Sequence, residues 1–559
     1  MLGRDVINSH YIERWVRGVV PGRTKLLSVQ KLMGPLRGLV GRRFSVVQAE
    51  FDPVFYAAAY RLPGKSRRNL IKHYLRQGWR MGFDPSPSFS TRKYLEANPD
   101  VKQKDVEPFY HYLRYGVKEG RQVFPSEQPT GDEPMGRIEN AVYSPHSGLL
   151  VAAGWYLPTI GLVPSLSTGA ATVALDDGFR QPRPELRAAK SGFVSLMRGI
   201  HENRVVSLEV AGPNRRKSLS KIFPKKQSSD PRTASEALFS IPTPLPNFAN
   251  RVPVIDEPFL RPLIQKQEQE MLVTSSEFKS FGVPPAAPLV DIVIPLYGTL
   301  RFLDNQLLHF SQDDWIRRHA SIFYVLDDPR ISDQFRSRAQ QLQRLYGVSF
   351  TCVDGGTNRG YAGANNLGAS AGGSEYILFM NSDVIPQDPN WLARLVQVFR
   401  DHPGTGAVAP RLTFADGTIQ FAGMEFQWHE ELQIWINHHP LKGCSVDLDP
   451  SARVRDVQCL TGACLLLRRA DFALVDGWDT GYLIGDFEDS DLCLKLSRLG
   501  LRRLYAPHVQ LTHLERQSMS QIGSDEYRIR VTIFNAVRHQ SRWGMPVGSG
   551  WRALEPRPV

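Results

Sequence analysis

The chain has 559 residues, too many for one hydrophobic core, and a scale of about 150 residues per domain suggests three or four units. With 42% hydrophobic and 22% charged residues it is neither wholly disordered nor membrane-embedded, and it contains no run of about 18 uncharged apolar residues. A formal charge of +12 suits phosphorylated substrates, an anionic membrane surface or nucleic acid, and composition does not choose among them.

Residues 1–48 form a basic N-terminal segment in which Arg14, Arg17, Arg23, Lys25, Lys31, Arg37, Arg42 and Arg43 punctuate apolar positions. An amphipathic helix resting on a membrane reads this way, and so does a solvated basic lead-in. Arg4, Asp5, Glu13 and Arg14 interrupt the start, so no signal-peptide core is expected there. The expected location is the cytoplasm, with peripheral contact at the inner face of the membrane as its extension. The five cysteines, an odd number with no CxxC pair, are expected to be buried thiols.

Residues 49–125 carry two copies of one pattern at a spacing of 38 residues. Phe51 matches Phe89, Tyr56 matches Tyr94, His73-Tyr74-Leu75 matches His111-Tyr112-Leu113, and Gly78 and Gly82 match Gly116 and Gly120. Each copy predicts a short helix, a turn and a second helix closed by a glycine C-cap, with the aromatic and His positions in the core. Residues 137–216, with the short runs Leu149 to Trp155, Ala171 to Leu175 and Val205 to Val210, predict a small β-rich accessory domain. Residues 217–288, rich in Ser, Pro, Lys and Gln, predict a linker.

From Leu289 to residue 545 strands and helices alternate, which predicts an α/β unit with a mostly parallel sheet; residues 546–559 are left as a tail. Val290 to Leu296 ends in Tyr297-Gly298, Ile322 to Leu326 in Asp327-Asp328-Pro329, and Tyr376 to Met380 in Asn381-Ser382-Asp383. Ligands of open α/β sheets bind at the carboxyl ends of strands, so these polar ends should share a crevice. Asp after a strand also caps the next helix, which is the plainer reading of each carboxylate alone. Between the second and third strands, Asn358-Arg359-Gly360-Tyr361-Ala362-Gly363-Ala364-Asn365-Asn366-Leu367-Gly368 opens a helix whose first amides suit a diphosphate. It matches neither a GxGxxG fingerprint nor a Walker loop.

With these motifs, Thr461-Gly462-Ala463, the Glu488-Asp489-Ser490-Asp491 cluster and His513, the stretch from Leu289 to about Trp543 resembles family 2 glycosyltransferases of the GT-A fold, closest in style to bacterial rhamnosyltransferase-like enzymes of surface polysaccharide synthesis. The resemblance implies a nucleoside-diphosphate sugar donor, a glycan or lipid-linked glycan acceptor, a divalent cation (Mg²⁺ or Mn²⁺), and no nucleic-acid partner. It implies that Tyr297, Asp327, Asp328, Asn358, Gly360, Asn366, Asn381 and Asp383 line the donor pocket, with Asp383 and His513 on the metal. Asp489 is then the catalytic base, Glu488 and Asp491 orient it or hold the acceptor, and Gly462 and Trp478 face the acceptor. Pro329 stands where the family often has a small residue and Ser. A catalytically silent glycan- or nucleotide-sugar-binding subunit is the alternative, and a nucleotidyltransferase fits the Tyr297-Gly298-Thr299-Leu300-Arg301 stretch poorly.

Overall fold

The computed structural model describes residues 43–60, 62, 66–86, 88–124, 135–158, 163–175, 179–181, 191–212, 215–449, 453–514 and 524–544. Most of the basic N-terminal segment and the C-terminal tail lie outside the described residues. The described residues divide into two compact units, one holding residues from 43 to 229 and 240–247, the other residues 230–239 and those from 248 to 544. No helix among the described residues is long and apolar enough to cross a membrane.

In the first unit, the repeated sequence forms α1 (Pro53–Tyr60) and α2 (Arg67–His73) in one copy, and α3 (Thr91–Ala97), α4 (Pro99–Gln103) and α5 (Pro108–His111) in the other. α2 and α5 each continue into one π-helical stretch, Tyr74–Gly78 and Tyr112–Gly116. Tyr56 and Tyr94 are fully buried, and their hydroxyls meet His73 Nδ1 at 2.9 Å and His111 Nδ1 at 3.0 Å. A Cβ at Gly78 or Gly116 would collide with the Tyr56 or Tyr94 hydroxyl, so this glycine pair makes room for the tyrosines. Gly82 and Gly120, at φ +75° and +63°, take the left-handed conformation that favours glycine.

Among the described residues the β-rich part has nine strands: β1 (Gly136–Ser144), β2 (Leu149–Tyr156), β3 (Val163–Ser167), β4 (Thr172–Ala174), β5 (Phe179–Gln181), β6 (Ser191–Met197), β7 (Val206–Gly212), β8 (Arg215–Ile222) and β9 (Lys225–Lys226). They form two sheets, in the orders β5-β6-β2-β1-β9 and β4-β3-β7-β8. Leu150, Ala152, Phe193, Leu166 and Leu208 meet in one core.

The second unit begins inside the stretch expected to be a linker. That expectation is corrected: residues 217–288 form α6 (Pro231–Phe239), α7 (Leu245–Arg251), α8 (Glu257–Val273) and β10 (Glu277–Phe281). Their polar composition conceals an apolar stripe, and Leu238, Phe239, Phe248, Phe259, Leu260 and Leu263 are all at most 2% exposed. α7 runs through a π-helical stretch, Val252–Asp256, directly into α8, which carries Pro258 near its start and Pro262 in its interior.

The elements that follow are β11 (Val290–Leu296), α9 (Leu303–Ser311), α10 (Asp314–His319), β12 (Ala320–Leu326), α11 (Pro329–Tyr346), β13 (Phe350–Asp354), α12 (Gly360–Ser370), β14 (Tyr376–Met380), β15 (Val384–Pro386), α13 (Trp391–Asp401) and β16 (Thr405–Thr413). After them come β17 (Ile419–Phe421), β18 (Glu425–His429), β19 (Ile434–His438), β20 (Arg455–Asp456), β21 (Cys464–Arg468), α14 (Arg469–Leu474), α15 (Glu488–Arg498), β22 (Arg502–His513) and α16 (Asp525–Trp543). The main sheet has the order β10-β13-β12-β11-β14-β21-β16-β22-β15. Among the described residues, four of the eight pairs along that order are parallel and four antiparallel, and β17 on β16 and β20 on β22 add two antiparallel pairs, so the sheet is mixed and not mostly parallel. The parallel block β13-β12-β11-β14 has the apolar runs that made it readable, buried between helices. The return strands β10, β21 and β15 need no helical crossover, so alternation with helices does not announce them, although β21 is itself a buried apolar run from Cys464 to Leu467.

Candidate active site

β11, β12 and β14 run parallel in register, so Leu296, Leu326 and Met380 end on one sheet edge. Past β11, the Tyr297 hydroxyl accepts a hydrogen bond from Arg232 Nη1 at 2.8 Å, and the Arg330 guanidinium lies 5.9 Å from its ring centre. Past β12, Asp327 is buried and accepts the Arg359 amide at 2.6 Å; burial pushes its carboxyl well above the ordinary range. Asp328 caps α11, accepting the Arg330 amide at 3.0 Å, and also binds the Gly298 amide at 3.1 Å and Arg330 Nη2 at 2.8 Å. The hydrogen bond from Arg330 holds its carboxyl below the usual value. Asp327 therefore ties the glycine-rich segment to β12, and Asp328 ties the Tyr297-Gly298 turn to α11.

In that segment Asn358 Oδ1 accepts the Gly360 amide at 2.9 Å, and Gly360 opens α12 at φ +67°. Asn366 departs from its expected donor role. Its amide pairs with the Trp478 backbone in both directions, each at 2.9 Å, so it fixes the Gly477-Trp478 turn.

Past β14 the chain turns sharply, and Gln306 Nε2 holds the turn through the Asn381 and Val384 carbonyls, each at 3.0 Å. β15 then pairs with β22 so that Val384 faces His513. Asp383 Oδ1 comes within 3.2 Å of His513 Nε2, whose other nitrogen meets Gln420 Oε1 at 2.8 Å. Asn381 Nδ2 lies 3.4 Å from the same Nε2. Burial opposes charge on Asp383, but the adjacent imidazole outweighs it and holds the carboxyl below its ordinary value. Two ligands bound side by side at about 2.1 Å on an octahedral ion stand about 3.0 Å apart, so the observed separation fits a carboxylate and an imidazole sharing one cation. The Gln420 contact to Nδ1 is the outer partner a metal-binding imidazole ordinarily has. Among the described residues no group of three or more His, Cys, Asp or Glu is placed to enclose a metal, so the remaining ligands would come from the substrate and water.

Asp489 lies in the first turn of α15. Its Oδ2 accepts the Gly462 amide at 3.3 Å and its Oδ1 the Ser490 amide at 2.8 Å. Burial raises its carboxyl to about 6 against those two amides. Glu488 is buried with Oε2 lacking a hydrogen-bond partner; burial and then the Asp489 charge push it well above the ordinary range. Two other assignments are corrected. Asp491 is fully buried on the far side of the helix, bound by Arg542 Nε at 2.8 Å, Trp543 Nε1 at 2.9 Å and the Tyr482 hydroxyl at 3.2 Å, so it anchors the helix and does not reach an acceptor. Trp478 is 2% exposed, its ring packed on Phe379 and Tyr361 at 5.1 and 5.4 Å, and so is core. A Cβ at Gly462 would come 2.7 Å from the Tyr361 hydroxyl, so internal packing already requires that glycine.

The Asp383 and Asp489 sites share a backbone connection. The Asn381 amide donates to the Ala463 carbonyl at 2.9 Å, one residue from the Gly462 amide that holds Asp489. The carboxylates thus flank Thr461-Gly462-Ala463, at the start of β21 and the end of β14, which are paired strands. Residues 292–470 match the family model described as Glycosyl transferase family 2. This segment is a family 2 glycosyltransferase domain.

The chain is similar to the O-antigen biosynthesis protein RfbC of Myxococcus xanthus, 31% identical over 28% of this chain and 12% of that protein. It is 27% identical to the N-acetylglucosaminyl-diphospho-decaprenol L-rhamnosyltransferase of Mycobacterium tuberculosis H37Rv over 34% of this chain and 68% of that one. With rhamnosyltransferase WbbL of Escherichia coli K12 the identity is 24% over 43% and 89% of the two chains. The chain spans under a fifth of the length of the first relatives it matches.

Several residues around the transferase domain escaped sequence reading. Besides Arg232, Gln420 and Gln306, α8 runs along the glycine-rich segment: Gln267 Nε2 donates to the Asn358 carbonyl at 3.5 Å, and Arg359 donates to the Met271 and Thr274 carbonyls at 2.9 and 3.4 Å. Asn535, Arg538 and Arg542 of α16 hold the chain before α15. Their spacing of three and four puts them on one helix face, which was the available signal.

Proposed function

We propose that the transferase domain moves a sugar from a nucleoside-diphosphate sugar to the hydroxyl of a glycan or lipid-linked glycan, with inversion, on a GT-A fold and in cell-surface polysaccharide synthesis. The observation that supports this most is the pairing of the Asp383–His513 couple with Asp489 across Thr461-Gly462-Ala463. Asp489 takes the acceptor's hydroxyl proton as the oxygen bonds to the anomeric carbon; the bond from that carbon to the diphosphate oxygen breaks, and the diphosphate keeps the electron pair. A divalent cation held by Asp383, His513 and donor phosphate oxygens would neutralise the charge growing on that leaving group. The first amides of α12, with Tyr297, Asn358 and Gly360 beside them, suit the donor's diphosphate and base. The lipid-linked class of acceptor follows the decaprenol-linked substrate in the mycobacterial relative's name. We infer a cytoplasmic setting with peripheral contact at the inner membrane face, supported by the basic residues of the first 48 positions.

The test is thermal stabilisation and turnover with dTDP-L-rhamnose, UDP-glucose and UDP-N-acetylglucosamine, with Mn²⁺ and with chelator. One donor should raise the melting temperature and be consumed only with the ion. Asp489→Asn should keep the shift and lose about 10²- to 10⁴-fold in rate. A variant within tenfold of wild type removes Asp489 from the base role. Stabilisation by donors with no turnover favours a binding subunit.

A further inference from the structure

Three of the five residues that lead into Glu488 adopt a backbone conformation that side chains disfavour. Ile484, Asp486 and Phe487 have φ of +67°, +86° and +76°, the left-handed region where a Cβ crowds the backbone, and a β-branched residue such as Ile is least suited to it. Phe487 occupies the N-cap position of α15 and offers no side-chain cap, and the Ser490 hydroxyl, which donates to the Phe487 carbonyl at 3.0 Å, ties the first turn to itself but does not hold the chain before it. An external clasp does so. Asn535 of α16 is fully buried; its Nδ2 donates to the carbonyls of Leu483, Gly485 and Asp486 at 3.0, 2.9 and 3.3 Å, and its Oδ1 accepts the Leu483 amide at 2.9 Å. Thr532 Oγ1, one turn earlier, donates to Asp486 Oδ2 at 3.1 Å, and the His539 ring packs on Phe487 at 5.3 Å.

We propose that Asn535 is a positioning residue for the transfer reaction, holding Leu483–Phe487 in its left-handed path and so setting the direction of Asp489. This rests on the transferase reading above. Asp489 meets only two backbone amides in its immediate hydrogen bonding, so its aim follows the start of α15, and that start follows the carbonyls Asn535 captures. A base displaced by about 1 Å loses on the order of a hundredfold in rate while substrate binding elsewhere is untouched. Asn535 acts on the loop and touches no reacting atom.

The experiment compares wild type, Asn535→Ala, Asn535→Ser and the double variant Asn535→Ala/Ile484→Gly in the full chain. The readout is nucleoside-diphosphate release from dTDP-L-rhamnose, UDP-glucose, UDP-N-acetylglucosamine and GDP-mannose with Mn²⁺, alongside circular dichroism and titration with dTDP and UDP. For Asn535→Ala the expected result is kcat down at least tenfold, donor KM within twofold, unchanged nucleotide Kd and retained secondary structure. Asn535→Ser, which keeps one donor, should fall between the two and stands in if the alanine variant does not fold. Ile484→Gly should restore at least threefold of the loss, because glycine takes the left-handed path unaided. Turnover in wild type with equal kcat in folded Asn535 variants overturns the positioning role alone. No release by wild type from any donor overturns the transferase reading, and this inference with it.

Discussion

Asp489 accepts its hydrogen bonds from two backbone amides, and burial leaves its carboxyl at about 6 where an ordinary Asp sits at 3.8. A base must be ionised, so turnover is expected to climb between pH 5 and 7 with an apparent pKa near 6, measured as kcat/KM across that range; a flat profile above pH 5 would contradict it. Stability runs the other way. The folded state binds the proton more tightly than the unfolded chain, so the advantage is full below pH 4 and is lost as pH rises through 6, a loss on the order of 2 kcal/mol. Asp486, raised to about 7 by burial and the Asp489 charge, adds to the same trend. Asp489→Asn should therefore melt higher than wild type at pH 8 and by about half as much at pH 5, with the gap closing toward pH 4. The Asp383–His513 couple was legible through the family resemblance, which puts an acidic residue after β14 and a His at the end of β22. The packing of Trp478, Gly462 and Asn366 was not, because each is decided by a partner about a hundred positions away in the chain: Gly462 and Trp478 by Tyr361, Asn366 by Trp478.

Among the elements, the repeats show how a period can be legible while its purpose is hidden. The 38-residue match marks the buried tyrosines, but the π-helical stretches at Tyr74–Gly78 and Tyr112–Gly116 are visible only once each glycine is seen against a tyrosine hydroxyl. The copies also differ where they meet. Glu107 stands where the first copy has Asn69, and it is fully buried, capping α5 through the Phe109 and Tyr110 amides at 2.8 Å each and accepting the Tyr74 hydroxyl of the other copy at 2.8 Å. Burial lifts its carboxyl to about 7 from 4.5. The folded repeats thus hold a proton that the unfolded chain releases, and their stability should fall as pH rises from about 5 through 7, by at most about 3 kcal/mol. Glu107→Gln should flatten that slope. Hydrogen exchange of peptides spanning residues 91–116, compared at pH 6 and 8 after correction for intrinsic rates, checks it: equal pH dependence in both proteins would refute the buried-carboxyl account.

For the molecule as a whole, the boundary read from composition and the boundary set by packing differ by about sixty residues. The alternation of strands and helices begins at Leu289, yet the unit that holds the site begins at Asp230. α6 and α16 share a core of Phe239 against Tyr527 and Phe534, with Ser235 bonded to the Tyr527 hydroxyl at 2.7 Å. Arg530 donates to the Phe239 carbonyl at 2.9 Å, and Arg251 forms a fully buried ion pair with Asp256 at 2.6 Å. α16 thus meets the strap formed by α6 to α8 on one side and, through Asn535, the loop before Asp489 on the other. Six strap side chains, Leu238, Phe239, Phe248, Phe259, Leu260 and Leu263, would be exposed or lost without it. At about 1.5–3 kcal/mol each this is on the order of 10 kcal/mol, comparable to the whole net stability of a domain. A fragment of residues 230–544 is accordingly expected to melt cooperatively and keep its donor-dependent shift. A fragment of residues 289–544, which contains every expected site residue and the whole matched family segment, is expected to aggregate or melt without a transition. Calorimetry of the two fragments decides the matter, and a stable, donor-responsive shorter fragment would show that the strap only decorates the transferase domain.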